Sequence, residues 1–384
     1  MTAAWRLALN YALVFGGNGV ALPFIGLWLR AQGLSGAEIG VVLATPMLAR
    51  LITGPAIALW ADGFHHRRTA MAILAAVAAA GYALLLAVEG LALWLPVWFV
   101  AATAAAALIP LSDVLTLKVA ARDGYAFSWP RGAGSAAFVA ANVAMGAMLA
   151  RVPVDAIVIW LVAAAALAAL VAGLVLPAER VHDEGGVSRA DRFRGLGRLV
   201  ADPTFMTAIT AVGLIQSAHA FYYGFSALEW RARGISAQTT GLLWAVSVVA
   251  EIAFLWVIDP WRLRRGIGPW TLLMIGGVAA AWRWAALALA PPVWLLWPLQ
   301  GLHALSFAAT FLAGLQIVER LCPPQSATGG QMLVSTLSSG VLVGLATLLS
   351  GPLYDAYGAG GYVAMTLMCL GGLALAWRVR AAVA

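Results

Sequence analysis

From Arg6 to Trp377 the chain is a succession of apolar runs about twenty residues long, the length needed to cross the core of a bilayer. The spans read as 6–28, 37–60, 69–88, 91–119, 131–150 and 154–177, then 203–228, 237–258, 270–289, 293–319, 328–350 and 358–377. A hydrophilic segment from Ala178 to Asp202 separates the two sets of six. Backbone polar groups find no water inside a bilayer, so each run must satisfy its own hydrogen bonds as a helix. The expectation is an all-α integral membrane protein of twelve transmembrane helices. Residues 1–177 would form an N-terminal six-helix bundle, 178–202 a cytoplasmic linker and 203–384 a C-terminal six-helix bundle. The first run begins almost at once and is followed by no small-residue cleavage site, so it reads as a retained helix.

Composition narrows the function classes. Hydrophobic residues make up 63% of the chain and charged residues 10%, where a soluble domain carries about a quarter charged. A net charge of +7 would suggest nucleic acid in a soluble protein; here it reflects basic residues retained on one side of a membrane. Most of the 23 Lys and Arg, from Arg6, Arg67 and Lys118 to Arg320, Arg378 and Arg380, fall beside loops on one side, leaving Arg30, Arg151, Arg231 and Arg233 on the other. The positive-inside rule then places both termini in the cytoplasm, in a bacterial-type inner membrane. Cys322 and Cys369 are too few for a disulfide framework. The histidines, His65, His66, His182, His219 and His303, are a loop pair and three scattered residues. No metal site, cofactor or catalytic constellation is expected, which argues against an enzyme.

The two sets of spans repeat one another. Gly33-Leu34-Ser35, closing at Gly40, returns as Gly234-Ile235-Ser236, closing at Gly241, an offset of 201 (234 minus 33). Asp62 with Arg67 and Arg68 returns as Asp259 with Arg264 and Arg265, an offset of 197 (259 minus 62). Parallel repeats of this kind build transporters whose substrate site lies near the bilayer midplane.

Ionisable groups inside apolar spans cost on the order of 3 kcal/mol each and are functional candidates by default. Arg50, Asp113, Glu251, Arg283, His219 and His303 qualify, with Arg131 near a helix start. Arg50 and Glu251 differ by the repeat offset, so they occupy equivalent places on helices 2 and 8 with opposite charge. Asp113 and Arg131 flank the short loop between helices 4 and 5, where they could face one another. Glu251, set between Val248-Val249-Ala250 and Ile252-Ala253-Phe254, is the expected proton carrier, since a carboxyl in an apolar setting binds a proton more readily. His219 could titrate near neutral pH, bond to substrate, or make a neutral bond between helices.

Six plus six spans around a middle loop resemble the major facilitator superfamily. Its loop signature between helices 2 and 3 is Gly-x-x-x-Asp-[Arg/Lys]-x-Gly-[Arg/Lys]-[Arg/Lys], and the stretch from Ala58 to Arg68 keeps Asp62, Arg67 and Arg68. It departs at Ala58, Gly63 and His65. The resemblance implies a cytoplasmic latch there and in its duplicate at Asp259, Arg264 and Arg265.

Other residues resemble the proton-coupled phenylpropionate/cinnamate permease family more closely. They are Leu22-Pro23-Phe24 with Trp28-Leu29, Pro110-Leu111-Ser112-Asp113, Arg131 with Gly134-Ser135, and Arg283-Trp284. The longest block runs from Ala218-His219-Ala220 through Tyr222-Tyr223-Gly224-Phe225-Ser226-Ala227 to Gly241, Trp244 and Glu251. The resemblance extends to nucleoside and lactose proton symporters and implies that Asp113 and Arg131 shape a substrate site. It also implies that Glu251, Arg283 and His303 take part in proton coupling, Asp113 being a further candidate. The chain departs from the lactose type at Ser306 and Gln300, where that group has an acid and a lysine.

A small aromatic carboxylate needs a desolvated cation and ring surface. Arg131 and Arg283 are the candidate cations, Tyr222, Tyr223 and Trp244 the candidate rings, and Asn18, Gln216, His219 and Gln331 further polar candidates for substrate or for helix contacts. The expected function is import of such an anion with protons, as a monomer in contact with lipid, by two halves rocking about a central site. A nucleoside, a sugar or an exported metabolite are alternative cargoes, and a polytopic membrane enzyme is a remote one.

Overall fold

The computed structural model describes residues 2–181, 196–322 and 327–383. His182, Arg189, Arg192 and Arg194, and with them most of the expected linker, lie outside the described residues.

The chain is helical almost throughout. Its long helices are α1 Ala3–Ala31, α2 Gly36–Ala61, α3 Arg67–Leu85, α4 Leu91–Asp123, α5 Ser128–Met148 and α6 Ala156–Val175. They continue as α7 Pro203–Ala232, α8 Ala237–Arg264, α9 Pro269–Ala288 and α10 Val293–Leu321. The last two are α11, built of Ala327–Thr336, Leu337–Leu342 and Val343–Tyr357, and α12 Tyr362–Arg378. Among the described residues, 10 continuous helical runs are long and apolar enough to cross a membrane. The helix missing from that set is α5, whose Arg131, Ser135 and Asn142 lower its hydropathy. In addition, α11 and α12 merge across the tight turn Gly358–Gly361 into one run of 50 residues.

Two compact units result. One comprises Met1–Gly186 with Trp230–Ala245, the other Val187–Glu229 with Val246–Ala384. The first unit thus takes in the end of α7 and the start of α8, and the reason is the absence of side chains where α5 meets α8. A Cβ on Gly146 would stand 2.6 Å from the carbonyl oxygen of Ala237, and one on Gly241 would run into the carbonyl oxygen of Asn142. Glycine lets the two backbones touch, the usual way helices associate in lipid.

The repeated glycine turn is repeated in three dimensions. Gly33 (φ +90°) and Gly234 (φ +78°) both stop their helices in the left-handed region. The next amide closes back on the helix each time, Leu34 to Leu29 O at 3.3 Å and Ile235 to Trp230 O at 2.9 Å. Ser35 then caps α2 in a reciprocal box with Glu38, and Ser236 caps α8 by accepting from the Thr239 amide at 3.1 Å.

Several helices depart from α geometry near their polar residues. Turns of π type occur at Phe254–Ile258 in α8, Ala304–Ala309 in α10 and Leu337–Leu342 in α11. The helix α7 breaks at Ala218 and His219, where the His219 amide bonds three residues back, to Gln216 O at 3.2 Å. Such wide and tight turns are frequent at functional sites because they re-aim side chains.

Candidate functional site

Two polar clusters stand out, one inside each unit. In the first unit, α1 and α4 run side by side and present Asn10, Tyr11, Ser112 and Asp113 to each other. Buried Asn10 Nδ2 donates to Ser112 Oγ at 2.8 Å, and that hydroxyl donates to Leu108 O at 2.7 Å. One residue further on, Tyr11 Oη donates to Asp113 Oδ1 at 2.5 Å. Arg131, from the first turn of α5, approaches the same oxygen through Nε at 3.5 Å. Its guanidinium lies over the ring of Phe15, 4.2 Å from the centroid, and 5.7 Å from that of Tyr11.

This arrangement leaves Arg131 partly free. The side chains of Arg131 and Asp113 are 32% and 33% exposed. No hydrogen bond of the Arg131 terminal nitrogens occurs among the described residues. A guanidinium held by Nε and by a ring face keeps its two-pronged edge for another anion. Tyr11 and Phe15 are absent from the sequence-derived candidates. Their spacing of four on one helix, opposite two residues of the 110–113 block, is the sign that could have found them.

The second cluster is built from α7, α8, α9 and α10. Arg283 is fully buried, and its partners are neutral. Its Nη1 donates to His303 Nδ1 at 3.1 Å and to Ser306 Oγ at 3.2 Å, and its Nη2 donates to Gln300 Oε1 at 2.8 Å. The faces of Tyr222 and Trp284 lie 4.8 Å and 4.6 Å from the guanidinium carbon. Two buried N–H groups, Arg283 Nε and Gln300 Nε2, have no acceptor among the described residues. His303 Nε2 faces Glu251 Oε2 at 3.8 Å. Ser306 and Gln300, where lactose-type symporters carry charge, serve here as neutral acceptors for a buried cation.

His219 belongs to this second cluster. It bonds Gln216 O through Nδ1 at 2.9 Å and Ser306 Oγ through Nε2 at 3.1 Å, and stacks on Tyr223 at 5.7 Å. Tyr222 stands 5.8 Å from Tyr223 and 6.2 Å from His303. Gln216 itself spends its amide on helix contacts, donating to Thr310 Oγ1 at 2.5 Å and to Phe307 O at 3.0 Å.

Trp244 is buried in the first unit. Asn18 lines a cleft between α1, α3, α4 and α6, with Tyr82, Leu108 and Leu161, and Asp113 and Arg131 are not part of its lining. Gln331 donates to Leu315 O at 3.3 Å. Arg50 has no acid within ion-pair distance among the described residues.

In the loop between α2 and α3, Asp62 pairs with Arg67 at 3.6 Å, while Arg68 donates to Leu176 O at 3.1 Å. The residues after α6 are bound there too: the Arg67 amide donates to Glu179 O at 3.2 Å, and the Glu179 carboxylate receives Lys118 and Arg122. In the duplicated loop the partner of Asp259 is Arg262, at 2.6 Å, and not Arg264 or Arg265. Arg262 lies one turn after Asp259 and is nearly buried, whereas the Arg265 guanidinium lies over Trp261 at 5.6 Å.

The sequence model of the MFS_1 like family matches residues 4–363. Among relatives, the protein described as "Probable 3-phenylpropionic acid transporter" of Escherichia coli (strain K12) is 28% identical over 370 residues, covering 95% of this chain and 94% of its own. The "Maltose permease" of Geobacillus stearothermophilus is 26% identical over 368 residues, with 94% and 90% covered. Among solved structures, the nucleoside transporter NupG superposes with a TM-score of 0.83 at 18% identity, over 99% of each chain. A bacterial homolog of the human lysosomal transporter Spinster does so at 0.78 and 13%, over 99% and 97%. Identities this low speak to the fold.

Proposed function

The chain belongs to the MFS_1 like family and is a multi-pass membrane transporter of the major facilitator fold, and from that premise we propose that it carries a small aromatic carboxylate together with protons, by alternating access. The observation that carries the reading is Arg131: a cation one third exposed on the face of Phe15, tied to Asp113 by Nε, with its terminal nitrogens available. A carboxylate takes two parallel bonds from such an edge, and an aromatic tail finds ring surface beside it. The 28% identity to a protein described as a phenylpropionic acid transporter supports the same class.

Glu251 is the proton carrier in this reading. It is the acid of the second cluster, facing a histidine that in turn meets the buried Arg283. Protonation outside would favour loading of the anion, and loss of the proton inside would favour its release. A single chain suffices, in an inner membrane of bacterial type with both termini cytoplasmic.

A second reading, a neutral sugar as cargo, draws on the maltose permease relative. A sugar would use hydroxyl hydrogen bonds and gain little from a free guanidinium. Uptake of radiolabelled 3-phenylpropionate into proteoliposomes, with and without an inward proton gradient, separates the two. Gradient-driven uptake that collapses with an uncoupler is the expected result. No uptake of the acid alongside clear uptake of maltose would overturn the aromatic-acid reading.

A further inference from the structure

The second cluster contains a directional constraint that follows from the chemistry of arginine. A guanidinium has five N–H donors and no acceptor. Arg283 Nη1 stands 3.1 Å from His303 Nδ1, so Nδ1 must present its lone pair and the proton of the neutral ring must sit on Nε2. That N–H is turned toward Glu251, whose Oε2 is 3.8 Å away. A second proton on the ring would have to go to Nδ1. It would place an N–H against an N–H and one cation against another, with no water to separate them, because both side chains are buried.

The neighbouring histidine fixes the rest. His219 Nδ1 faces the carbonyl of Gln216 at 2.9 Å and must carry its proton there. Its Nε2 then accepts from Ser306 Oγ at 3.1 Å, the hydroxyl that receives Arg283 Nη1. The groups facing His303 are therefore Glu251 from α8, Arg283 from α9, and His219 and Tyr222 from α7, with Phe307 stacked on it at 5.2 Å. Of these Glu251 is the acid, and it can take up a proton without breaking a hydrogen bond to Arg283, which His303 cannot.

We infer that His303 is a positioning residue and not the carrier of the transported proton: Arg283 locks its ring as the neutral Nε2–H tautomer, which ties the carboxyl of Glu251 to the buried cation through a group whose own charge does not change. The inference deepens the proton-coupled reading above, and its uptake test rests on that reading; its spectroscopic test does not.

Nitrogen-15 NMR of the full chain in nanodiscs, labelled at histidine side chains, reads the tautomers directly, with His303→Gln supplying the assignment. Expected is a His303 ring protonated at Nε2 only and a His219 ring protonated at Nδ1 only, both unchanged from about pH 8 to about pH 5. A His303 ring that carries both protons within that range, or one on Nδ1 alone, would overturn the inference. In the uptake test, His303→Gln keeps an N–H donor at similar reach and should retain gradient-driven accumulation within about threefold, with the pH profile of the parent. Accumulation lost in His303→Gln while equilibrium exchange survives would mark His303 as the carrier and overturn it. A parent protein that takes up no phenylpropionate would remove the substrate reading alone, and the NMR result would still decide the tautomer.

Discussion

Each unit of the molecule holds one arginine within its polar cluster, and the two are held in opposite ways. Arg131 meets an acid, lies over a ring and remains a third exposed. Arg283 meets a histidine, a serine and a glutamine, and is fully buried. A charge pair at a hydrated surface exchanges partners cheaply, because its net worth is about 1 kcal/mol or less. A buried cation has lost its water and depends on every acceptor it has. In the reading proposed above, the contrast suits Arg131 to meeting a solute and Arg283 to sensing the charge on Glu251. In the inference above, the Arg283 donor sets the proton position on His303 and the Gln216 carbonyl sets that on His219.

Five outcomes would sharpen or break this contrast. Glu251→Gln should abolish accumulation against a gradient yet leave equilibrium exchange of the anion intact; retained accumulation in proteoliposomes would remove Glu251 from the coupling. Next, Arg131→Gln should lower uptake by roughly 100-fold, the value of two charge-assisted hydrogen bonds at about 1.5 kcal/mol each. Its thermal stability, followed by tryptophan fluorescence, should hardly change. Arg283→Leu reverses that pattern in stability: Gln300 and His303 would lose their donor, at a cost of about 2 kcal/mol, visible as a lower melting temperature. Equal melting of the two arginine variants would erase the distinction between the clusters. In the loop between α2 and α3, Asp62→Asn breaks a partly exposed pair and should cost about 0.5 kcal/mol. Asn18→Ala should alter uptake by less than about twofold, because Asn18 lines a cleft inside the first unit and not the Arg131 cluster. A larger loss would move that cleft onto the transport route.

Much of the fold was legible as a pattern of length and hydropathy. The bilayer demands about twenty apolar residues per helix, so span positions follow from composition alone, and only α5 and the join of α11 to α12 blur the count. The glycine turns at Gly33 and Gly234 were legible for a related reason, since a left-handed residue after a helix is nearly always glycine. Of the site, the charged members were visible because charge in an apolar span is conspicuous. Their neutral partners were not. Nothing in Gln300 or Ser306 as letters announces that each accepts from Arg283. Tyr11 and Phe15 were equally silent among many aromatic residues. In the duplicated loop, the spacing pointed to Arg264 and Arg265 while the helix turn delivered Arg262 to Asp259.

The sequence by itself therefore determined the class of molecule, the helices and their turns, and the short inventory of ionisable groups that an apolar chain can carry. All of these depend on local length, hydropathy and backbone freedom. Only the tertiary structure decided which cation lies a third exposed beside an acid and which is buried among neutral acceptors. The contacts that settle it join residues about a hundred apart, as Tyr11 to Asp113, or nearly ninety apart, as His219 to Ser306. Contacts at that separation are fixed by the packing of whole helices, which no local spacing encodes.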